Sequence, residues 1–370
     1  MQKDVRKISE FNIKMKVLHV INSLAAGGAE KLVSELVTEQ SKTIPVGLFI
    51  FNSEANIFED LIGEKVELIK NKQNNFFSFK TIKLLHKSIK KYDVIHVHLF
   101  PAFYLVACLS MFHPKKHLIY TEHNTYNRRR RFYFWPFDKW VYSRYQMIVC
   151  ISNGVYHSLT NWIGKRQKKI IIPNFVNLDT FQKKLSDSNL ITSSPKNIKK
   201  IVMVGSFSDQ KDQKAVIDIL KFLDFEYEVI FIGDGVNIDK LKQYAQQFEF
   251  KERVKFLGVQ REVPYLLKQC NYGILSSKWE GFGIAAIEYM AAEIVCLATN
   301  VSGLNELVLT KENLIEVGDA KAFADRIIEI ENNPELKKQI LEIQSKTVGN
   351  FSLTNATKRH LDLYKTIIGV

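Results

Sequence analysis

Short apolar runs alternate with longer amphipathic segments along almost the whole of this 370-residue chain. The short runs are rich in Val and Ile, which favours buried strands, and the segments between them place apolar residues at helical spacing. This alternation predicts parallel sheets covered by helices. The predicted strands are VLHVI (17–21), GLFIF (47–51), VIHVH (94–98), HLIYTEH (117–123), MIVCIS (147–152), KIIIPN (169–174), KIVMVGS (200–206), YEVIFIGDG (227–235), VKFLG (254–258), YGILSS (272–277) and IVCLATN (294–300).

A polar stretch, LSDSNLITSSPKNIKK, interrupts the alternation and predicts a linker over 186–199. It separates two Rossmann-like doubly wound domains, 15–185 and 200–350, which suits a chain of this length. In such domains ligands bind beyond the carboxyl ends of the strands, so a site shared between two facing domains is expected. We expect 1–14 to be a loose extension and 351–370 a C-terminal helix that could cross back to the N-terminal domain.

Composition excludes several classes of protein. Hydrophobic residues make up 46% and charged residues 25%, as in a folded domain rather than a disordered chain. The apolar run from Leu99 to Phe112 is shorter than the roughly 20 residues of a membrane-spanning helix. The N-terminus lacks the pattern of a signal peptide, so we expect a cytoplasmic protein. Its four cysteines stand singly, which favours reduced thiols over disulfides or a zinc site.

Charge is distributed unevenly along the chain. Residues 1–200 hold 32 Lys and Arg against 15 Asp and Glu, whereas residues 201–370 hold 20 against 24. The basic half is expected to face an anion. Nucleic acid, anionic lipid headgroups and a phosphorylated substrate all fit that field, and net charge does not choose between them.

The stretch KWEGFGIAAIEYMA, which follows the predicted strand YGILSS, carries two glutamates around a glycine loop. On one continuous helix Glu280 and Glu288 would be about 12 Å apart. With the loop between them, Glu280 can fold over the start of a helix near Gly283 while Glu288 points from its second turn into the same cleft.

This arrangement suits a ligand with both phosphate and hydroxyl groups. Amides near Phe282, Gly283 and Ile284 can approach a phosphate at the helix N-terminus. The carboxylates of Glu280 and Glu288 can accept hydrogen bonds from a sugar diol. A nucleotide-sugar has both features. The alternative is an ordinary helix with one exposed glutamate and one N-terminal carboxylate.

Two candidates lie in the N-terminal half. Gly27 and Gly28, between the first strand and the first helix, either form a plain tight turn or present amides to a phosphate. His123 ends a predicted strand, at the edge where active groups gather, although a lone histidine is often structural. His96 and His98 share one strand face, a geometry that suits metal ligands. No third ligand is near them in sequence, and we expect no metal.

The stretch RRRRFYFWPFDKWVYSRY joins four arginines to aromatic residues. This composition is typical of an interfacial membrane anchor and of a single-stranded nucleic-acid surface. A helix with its aromatics in the core and its arginines in water is the third possibility. The arginines in question are Arg128, Arg129, Arg130 and Arg131.

Glu280, seven residues and Glu288 resemble the E-x7-E motif of retaining GT-B glycosyltransferases, particularly family 4. The similarity extends along the chain through GGAE (27–30), DVIHVH (93–98), TEHN (121–124), CIS (150–152), IIPNFVNLDTF (171–181), VGSFSDQKD (204–212), IGDG (232–235), VKFLG (254–258) and SGLNELV (302–308). It implies a GT-B fold, in which an N-terminal acceptor domain and a C-terminal donor domain face a central cleft.

The resemblance also implies roles for individual residues. Glu288 would hold the donor ribose, and Glu280 with the amides near Phe282 to Ile284 would hold the donor sugar and diphosphate. Lys211, in the loop after Gly205 and Ser206, would pair with the diphosphate. Ser206 stands where family members often have arginine. The loop at Gly27 and Gly28 would face the diphosphate, and His123 would help to place the transferred sugar and the reacting hydroxyl.

The function implied is transfer of a sugar, with retention, from a nucleoside diphosphate sugar, UDP-sugar favoured, to a lipid-linked glycan at the cytoplasmic membrane face. Surface polysaccharide assembly is the expected setting, without a cofactor or metal and without nucleic acid as a partner. Two rivals remain. One is a UDP-sugar epimerase or hydrolase on the same fold, and the other is a basic nucleic-acid or lipid-binding protein with a degenerate nucleotide site.

Overall fold

The computed structural model describes residues 15–369 except 26, 55, 126, 128, 129, 187–197, 261 and 309. The predicted extension 1–14 and most of the predicted linker therefore lie outside the described residues. Within them the chain forms two parallel sheets with helices on both sides, and the predicted α/β architecture is confirmed.

The N-terminal sheet has seven described strands in the order β3-β2-β1-β4-β5-β6-β7. They are β1 (Val17–Ile21), β2 (Val46–Ile50), β3 (Val66–Lys70), β4 (Val94–His98), β5 (His117–Glu122), β6 (Met147–Cys150) and β7 (Lys169–Ile171). Every residue of β1, β2 and β4 is buried, as expected of parallel strands covered on both faces. β3 was not predicted, because only Val66 of its residues is fully buried at this edge of the sheet.

The C-terminal sheet has six described strands in the order β10-β9-β8-β11-β12-β13. They are β8 (Lys199–Val204), β9 (Tyr227–Ile232), β10 (Val254–Phe256), β11 (Tyr272–Leu275), β12 (Val295–Thr299) and β13 (Leu314–Ile315). β13 is two residues long, too short for a hydrophobic pattern to reveal it.

Thirteen α-helices of the described residues cover the sheets. They are α1 (Gly28–Gln40), α2 (Phe79–Lys90), α3 (Ala102–Leu109), α4 (Trp135–Ser143), α5 (Asn153–Ile163), α6 (Leu178–Ser186), α7 (Gln213–Ile219), α8 (Ile238–Ala245), α9 (Val263–Leu267), α10 (Ile284–Ala291), α11 (Ala320–Glu331), α12 (Pro334–Val348) and α13 (Leu353–Ile368).

The last helix, α13, packs on the N-terminal domain rather than on the domain that precedes it. It lies against α1, and the Tyr364 hydroxyl is 2.6 Å from His96 Nδ1 in β4. The Val176 amide also donates to the Phe351 carbonyl (2.9 Å) just before α13. The chain therefore crosses between the two domains a second time.

Candidate active site

A cavity of ≈ 840 Å³ lies between the two domains, beyond the carboxyl ends of β1, β8 and β11. Every residue that the sequence predicts for catalysis or donor binding lines it. These residues are Gly27, Gly28, His123, Gly205, Ser206, Lys211, Glu280, Phe282, Gly283, Ile284 and Glu288. Their proximity agrees with one shared site, and their individual roles stay predictions.

Lys211 and Glu280 form an ion pair on the C-terminal wall of this cleft. Lys211 Nζ is 2.5 Å from Glu280 Oε2, and both side chains are about nine-tenths buried, with 14% and 12% exposed. The Ser277 hydroxyl donates to the same carboxylate oxygen (3.1 Å). A charged pair held in this position presents one cation and one anion to whatever enters the cleft.

The loop that carries Lys211 is held in place by Ser276, which directly follows β11. The Ser276 hydroxyl lies 2.8 Å from the Lys211 carbonyl and 2.9 Å from the Asp212 carbonyl. The Gln210 side chain donates to the Trp279 carbonyl (2.9 Å), which ties this loop to the loop of Glu280. Gly205 lies under Lys211, since a β-carbon there would be 3.4 Å from Lys211 Cε. The two loops thus hold the ion pair jointly.

Helix α10 begins at the cleft with its first turn uncapped. Gly283 precedes it with φ +91°, a left-handed conformation that favours glycine, and a β-carbon there would meet Leu304 Cδ2 at 2.4 Å. No described side chain caps this end, so amides near Ile284 face the cleft. The Phe282 ring is buried against Phe351, so only its backbone can contact a ligand.

Glu288 reaches the cleft from the second turn of α10 and pairs with a residue that the sequence analysis missed. Lys31 Nζ, on α1 of the other domain, is 3.1 Å from Glu288 Oε1. Glu288 raises the pKa of Lys31, so this ammonium is charged. The ion pair joins the two domains directly across the predicted ribose site.

Glu35, one turn after Lys31 on α1, is a second missed residue of the cleft. Burial raises its pKa to about 7, partly offset by Lys31, and Oε2 has no partner among the described residues. Lys31 and Glu35 stand four residues apart on the helix that follows Gly28. Opposite charges at this spacing lie on one face of a helix, and this was the signal in the sequence that pointed to the pair.

The glycine loop of the N-terminal wall lies close to α10. A β-carbon at Gly28 would be 3.1 Å from Ile284 Cδ1. Helix α1 begins at Gly28, and the Glu30 carboxylate lies over its first turn, since a β-carbon at Gly27 would be 2.1 Å from Glu30 Oε2. The start of α10 therefore lies opposite a helix start that already carries a carboxylate.

The two walls touch where Gly281 packs on His123. A β-carbon at Gly281 would lie 2.4 Å from the His123 carbonyl oxygen, so only glycine allows this approach. The Ser152 hydroxyl donates to the Gly281 carbonyl (2.7 Å). Glu306 accepts from the amides of Asn153 (2.8 Å) and Gly154 (2.9 Å) at the start of α5. This contact fixes the loop of Glu280 beside His123.

The His123 imidazole is neutral at physiological pH. Burial, and secondarily His360, lowers its pKa to about 4. Its Nε2 is buried without a partner among the described residues, although the ring also lines the cleft. His123 therefore brings a neutral ring and no positive charge to the cleft.

A second cavity of ≈ 960 Å³ adjoins the first and shares Leu99, Asn124, Gln210 and Gly281 with it. Phe100 and Trp279 line it with exposed aromatic rings, whereas Tyr120 and Glu122, which also line it, are almost fully buried. The size and the exposed rings suit a sugar.

The arginine cluster is divided between the loop and the surface. Arg130 is 11% exposed, with Nη1 donating to the Thr125 carbonyl (3.2 Å) and Ser158 hydroxyl (2.7 Å) and Nη2 3.5 Å from Glu122 Oε2. Arg130 therefore holds the loop of Thr125, and its role at an acceptor or membrane surface stays a prediction. Arg131 is exposed. Arg128 and Arg129 lie outside the described residues.

An exposed aromatic surface follows this cluster, formed by the 3₁₀ helix Phe132–Phe134, α4 and the 3₁₀ turn Ser110–Phe112 that follows α3. We call it the aromatic surface. Its residues are Met111, Phe112, Phe132, Tyr133, Phe134, Trp135, Phe137 and Trp140. These side chains do not enter the core, whereas Tyr142 and Tyr145 of the same stretch are buried in it, so the alternative of core aromatics holds for part of the stretch. No helix in the described part of the chain has the length and apolar character needed to span a bilayer.

A histidine cluster lies behind His123 in the domain core. His19 in β1 joins His96 and His98, and ligand atoms of the three lie within 4.8 Å of one another. The sequence alone does not place His19 with the other two, because this nearness depends on the pairing of β1 with β4, in which His19 lies opposite His96. Five of their six ring nitrogens have a protein partner, with His19 Nδ1 3.0 Å from His98 Nε2, and His98 Nδ1 has none among the described residues.

Two family models match this chain. Glycosyltransferase Family 4 matches residues 26–180, and Glycosyl transferases group 1 matches residues 189–346. Together they span nearly the whole chain and meet at the predicted linker.

Curated relatives and solved structures agree with these matches. An Escherichia coli UDP-Gal:alpha-D-GlcNAc-diphosphoundecaprenol alpha-1,3-galactosyltransferase is 22% identical over 338 residues, 86% of each chain. A Campylobacter jejuni N-acetylgalactosamine-N,N'-diacetylbacillosaminyl-diphospho-undecaprenol 4-alpha-N-acetylgalactosaminyltransferase is 24% identical, covering 86% of this chain and 90% of the relative. The Anabaena protein HepE, solved with UDP-glucose, superposes with a TM-score of 0.81 at 18% identity, over 95% of this chain and 100% of HepE.

Proposed function

The chain belongs to the GT-B glycosyltransferases of family 4, and we propose that it is a retaining enzyme using a UDP-sugar donor and a lipid-linked glycan acceptor. The E. coli and C. jejuni relatives are named for diphosphoundecaprenol-linked substrates, and HepE was solved with UDP-glucose. Assembly of a surface polysaccharide, such as a capsule or O-antigen, is the proposed setting.

The observation that carries the proposal is the set of charges at the start of α10. Glu288 would accept hydrogen bonds from the ribose hydroxyls, in place of or beside Lys31. Lys211 and the uncapped first turn of α10 would contact the diphosphate, while Glu280 would hold the donor sugar. Because Lys211 and Glu280 are already paired, the cation and the carboxylate need little reorganisation to receive phosphate and sugar.

The proposed reaction is a displacement on one face of the donor sugar. The acceptor hydroxyl bonds to the anomeric carbon as the bond to UDP breaks, and the leaving diphosphate oxygen takes the hydroxyl proton. Lys211 and the amides near Ile284 stabilise the charge that develops on that diphosphate. His123, neutral and beside Gly281, would orient a sugar hydroxyl. No carboxylate is assigned as a covalent nucleophile.

Donor binding is proposed to need no metal ion. Lys211 and Lys31 provide two cations in the cleft, and the uncapped first turn of α10 adds partial positive charge. Transfer should therefore persist after the protein is treated with a chelator and assayed in its presence. A loss restored by a divalent cation would contradict this part of the proposal.

The acceptor is proposed to enter through the cavity lined by Tyr120 and Trp279, with its lipid held in the membrane near the aromatic surface. Aromatic side chains suit the interfacial region of a bilayer, and the basic N-terminal half would attract anionic headgroups.

The test of function is transfer by purified protein from a panel of UDP- and GDP-sugars to a lipid-linked glycan extract, followed by mass spectrometry. One UDP-sugar should add one sugar mass to the acceptor, and NMR of the product should show the anomeric configuration of the donor. Donor turnover without acceptor would instead favour an epimerase or hydrolase. Inversion of the anomer would contradict the retaining mechanism.

Membrane association is tested separately by flotation with vesicles containing anionic lipid. Phe132→Ser should reduce the bound fraction, because Phe132 is 86% exposed on the aromatic surface. Phe225→Ser is the matched control, since Phe225 is 89% exposed on the other domain. Equal binding by both variants and the parent would rule out this surface as the anchor.

A further inference from the structure

The histidine cluster forms a continuous hydrogen-bonded network that begins at Gln40 and has two branches. Gln40 on α1 is fully buried and contacts both His19 of β1 and Tyr364 of α13. Burial lowers the pKa of His19 to about 3 and those of His96 and His98 well below the ordinary value, so all three rings are neutral. A neutral imidazole has one donor and one acceptor nitrogen, which allows the protons to be placed.

The first branch ends in an acceptor. Gln40 Oε1 only accepts, so His19 Nε2, at 2.9 Å, is the donor to it. His19 Nδ1 is then an acceptor, and His98 Nε2 donates to it across 3.0 Å. His98 Nδ1 is consequently unprotonated. This atom is buried and has no partner among the described residues.

The second branch ends in a donor. The Gln40 amide nitrogen donates to the Tyr364 hydroxyl (3.4 Å), which in turn donates to His96 Nδ1 (2.6 Å). His96 Nε2 therefore carries its proton and donates it to Thr121 Oγ1 (2.7 Å). The Thr121 hydroxyl proton remains available for another acceptor.

Both branches end at one small cavity beside His123. The cavity has a volume of ≈ 20 Å³, and His98, Thr121, His123 and His360 are among the residues that line it. About 10–15 Å³ suffices for a single water molecule if it has two to four polar partners. His123 Nε2 is, like His98 Nδ1, a buried nitrogen without a partner in the described structure. The cavity thus offers an acceptor, a donor and a third nitrogen.

We propose that this cavity binds one water molecule, which accepts from Thr121, donates to His98 and hydrogen-bonds His123 Nε2. The water, His98 and Thr121 are then positioning groups for the His123 ring, which they hold from behind while its other edge faces the donor cleft. The positioning role rests on the proposed function of His123, whereas the water site does not.

A metal ion bound by the three histidines is the competing occupant. It would have to displace the hydrogen bond between His19 and His98, and the three ligands would supply no negative charge in a buried core. The existing hydrogen bonds between neutral rings therefore favour the hydrogen-bonded network over a bound metal ion.

A crystal structure at about 2 Å resolution tests the site directly. It should show one water about 2.7–3.2 Å from His98 Nδ1 and His123 Nε2. NMR of ¹⁵N-histidine-labelled protein should show His19, His96 and His98 protonated at Nε2. A dry cavity, different tautomers, or anomalous scattering from a metal among the three rings would overturn the proposal.

Kinetics then test the positioning role. Thr121→Val keeps the shape of the side chain but removes the hydroxyl. It should lower kcat about tenfold and change the donor KM by less than about twofold. Thr121→Ser, which keeps the hydroxyl, should have the kcat of the parent. The control is Thr357→Val, whose hydroxyl is buried on α13 outside this cavity. If the parent transfers sugar and Thr121→Val is equally active, the positioning role is wrong. If the water is present but the parent transfers nothing, the proposed function alone fails.

Discussion

The two walls of the cleft present different kinds of polar group to the same ligand. The C-terminal wall presents ionised groups, Lys211 and Glu280 in a pair and Glu288 at the domain boundary. Around His123 the N-terminal wall instead presents a neutral ring, backed by other neutral histidines in the core. The comparison suggests a division of work, in which charges bind the donor phosphate and ribose while the neutral ring orients hydroxyls.

The largest expected effect comes from removing a charge on the C-terminal wall. Glu280→Gln should lower kcat about 100-fold, because charge-assisted hydrogen bonds to the donor sugar are lost and Lys211 loses its partner. The measurement is steady-state transfer with the donor that the panel identifies.

The matched control for this variant is Glu331→Gln. Glu331 also pairs with lysines, Lys199 (2.9 Å) and Lys337 (2.8 Å), but lies outside the cleft. It should change kcat by less than about twofold. A loss of similar size in both variants would mean that Glu280 acts through domain stability alone.

The next effect is expected where the walls meet. Gly281→Ala should lower transfer about tenfold and destabilise the protein by about 1–3 kcal/mol, because the new methyl group must push the loop away from the His123 carbonyl. Gly349→Ala is the control, since a β-carbon there has open space. Thermal unfolding and transfer are measured together. Full activity in the Gly281 variant would show that this contact does not position the loop.

Glu35, on the N-terminal wall, tests how much an ionised carboxylate in the cleft costs in stability. Its pKa of about 7 in the folded protein lies above the ordinary carboxyl value of 4.5, so its contribution to stability is lost as pH rises between these values. Glu35→Gln should therefore be about 1–2 kcal/mol more stable than the parent at pH 8.5, with little difference near pH 4.5. Urea unfolding at both pH values measures this, and Glu39→Gln on the same helix is the control. An equal change in the free energy of unfolding at both pH values would contradict the raised pKa of the buried Glu35 carboxyl.

The smallest expected effect is the absence of a titration. Because the pKa of His123 is about 4, its ring should not gain a proton between about pH 6 and 8. NMR of ¹⁵N-labelled histidines, with His123→Asn to assign the signal, checks this. A protonation step near pH 6.5 would place a positive charge beside Gly281 and remove the contrast between the His123 region and the C-terminal wall.

The hydrophobic pattern predicted the fold because most strands are short, buried and rich in Val and Ile. It missed β3, whose Glu67 and Lys70 break the apolar run at the sheet edge. Glu280 and Glu288 could be predicted because they flank a glycine loop that follows the strand YGILSS, whereas the role of Lys211 is implied only by the resemblance to family 4. Lys31 could not be assigned, since its partner Glu288 is 257 residues away.

Calorimetric titration with UDP and with 2'-deoxy-UDP tests the central claim that Glu288 holds the donor ribose. The parent should bind UDP with micromolar affinity and 2'-deoxy-UDP more weakly. Glu288→Ala should weaken UDP binding about tenfold, or about 1.4 kcal/mol, and should no longer distinguish the two ligands. Freeing Lys31 from its ion pair would by itself favour the anionic nucleotide, so a loss of affinity points to the ribose contact. If the variant binds UDP as tightly as the parent, or still prefers UDP over its deoxy form to the same extent, the assignment of Glu288 is wrong.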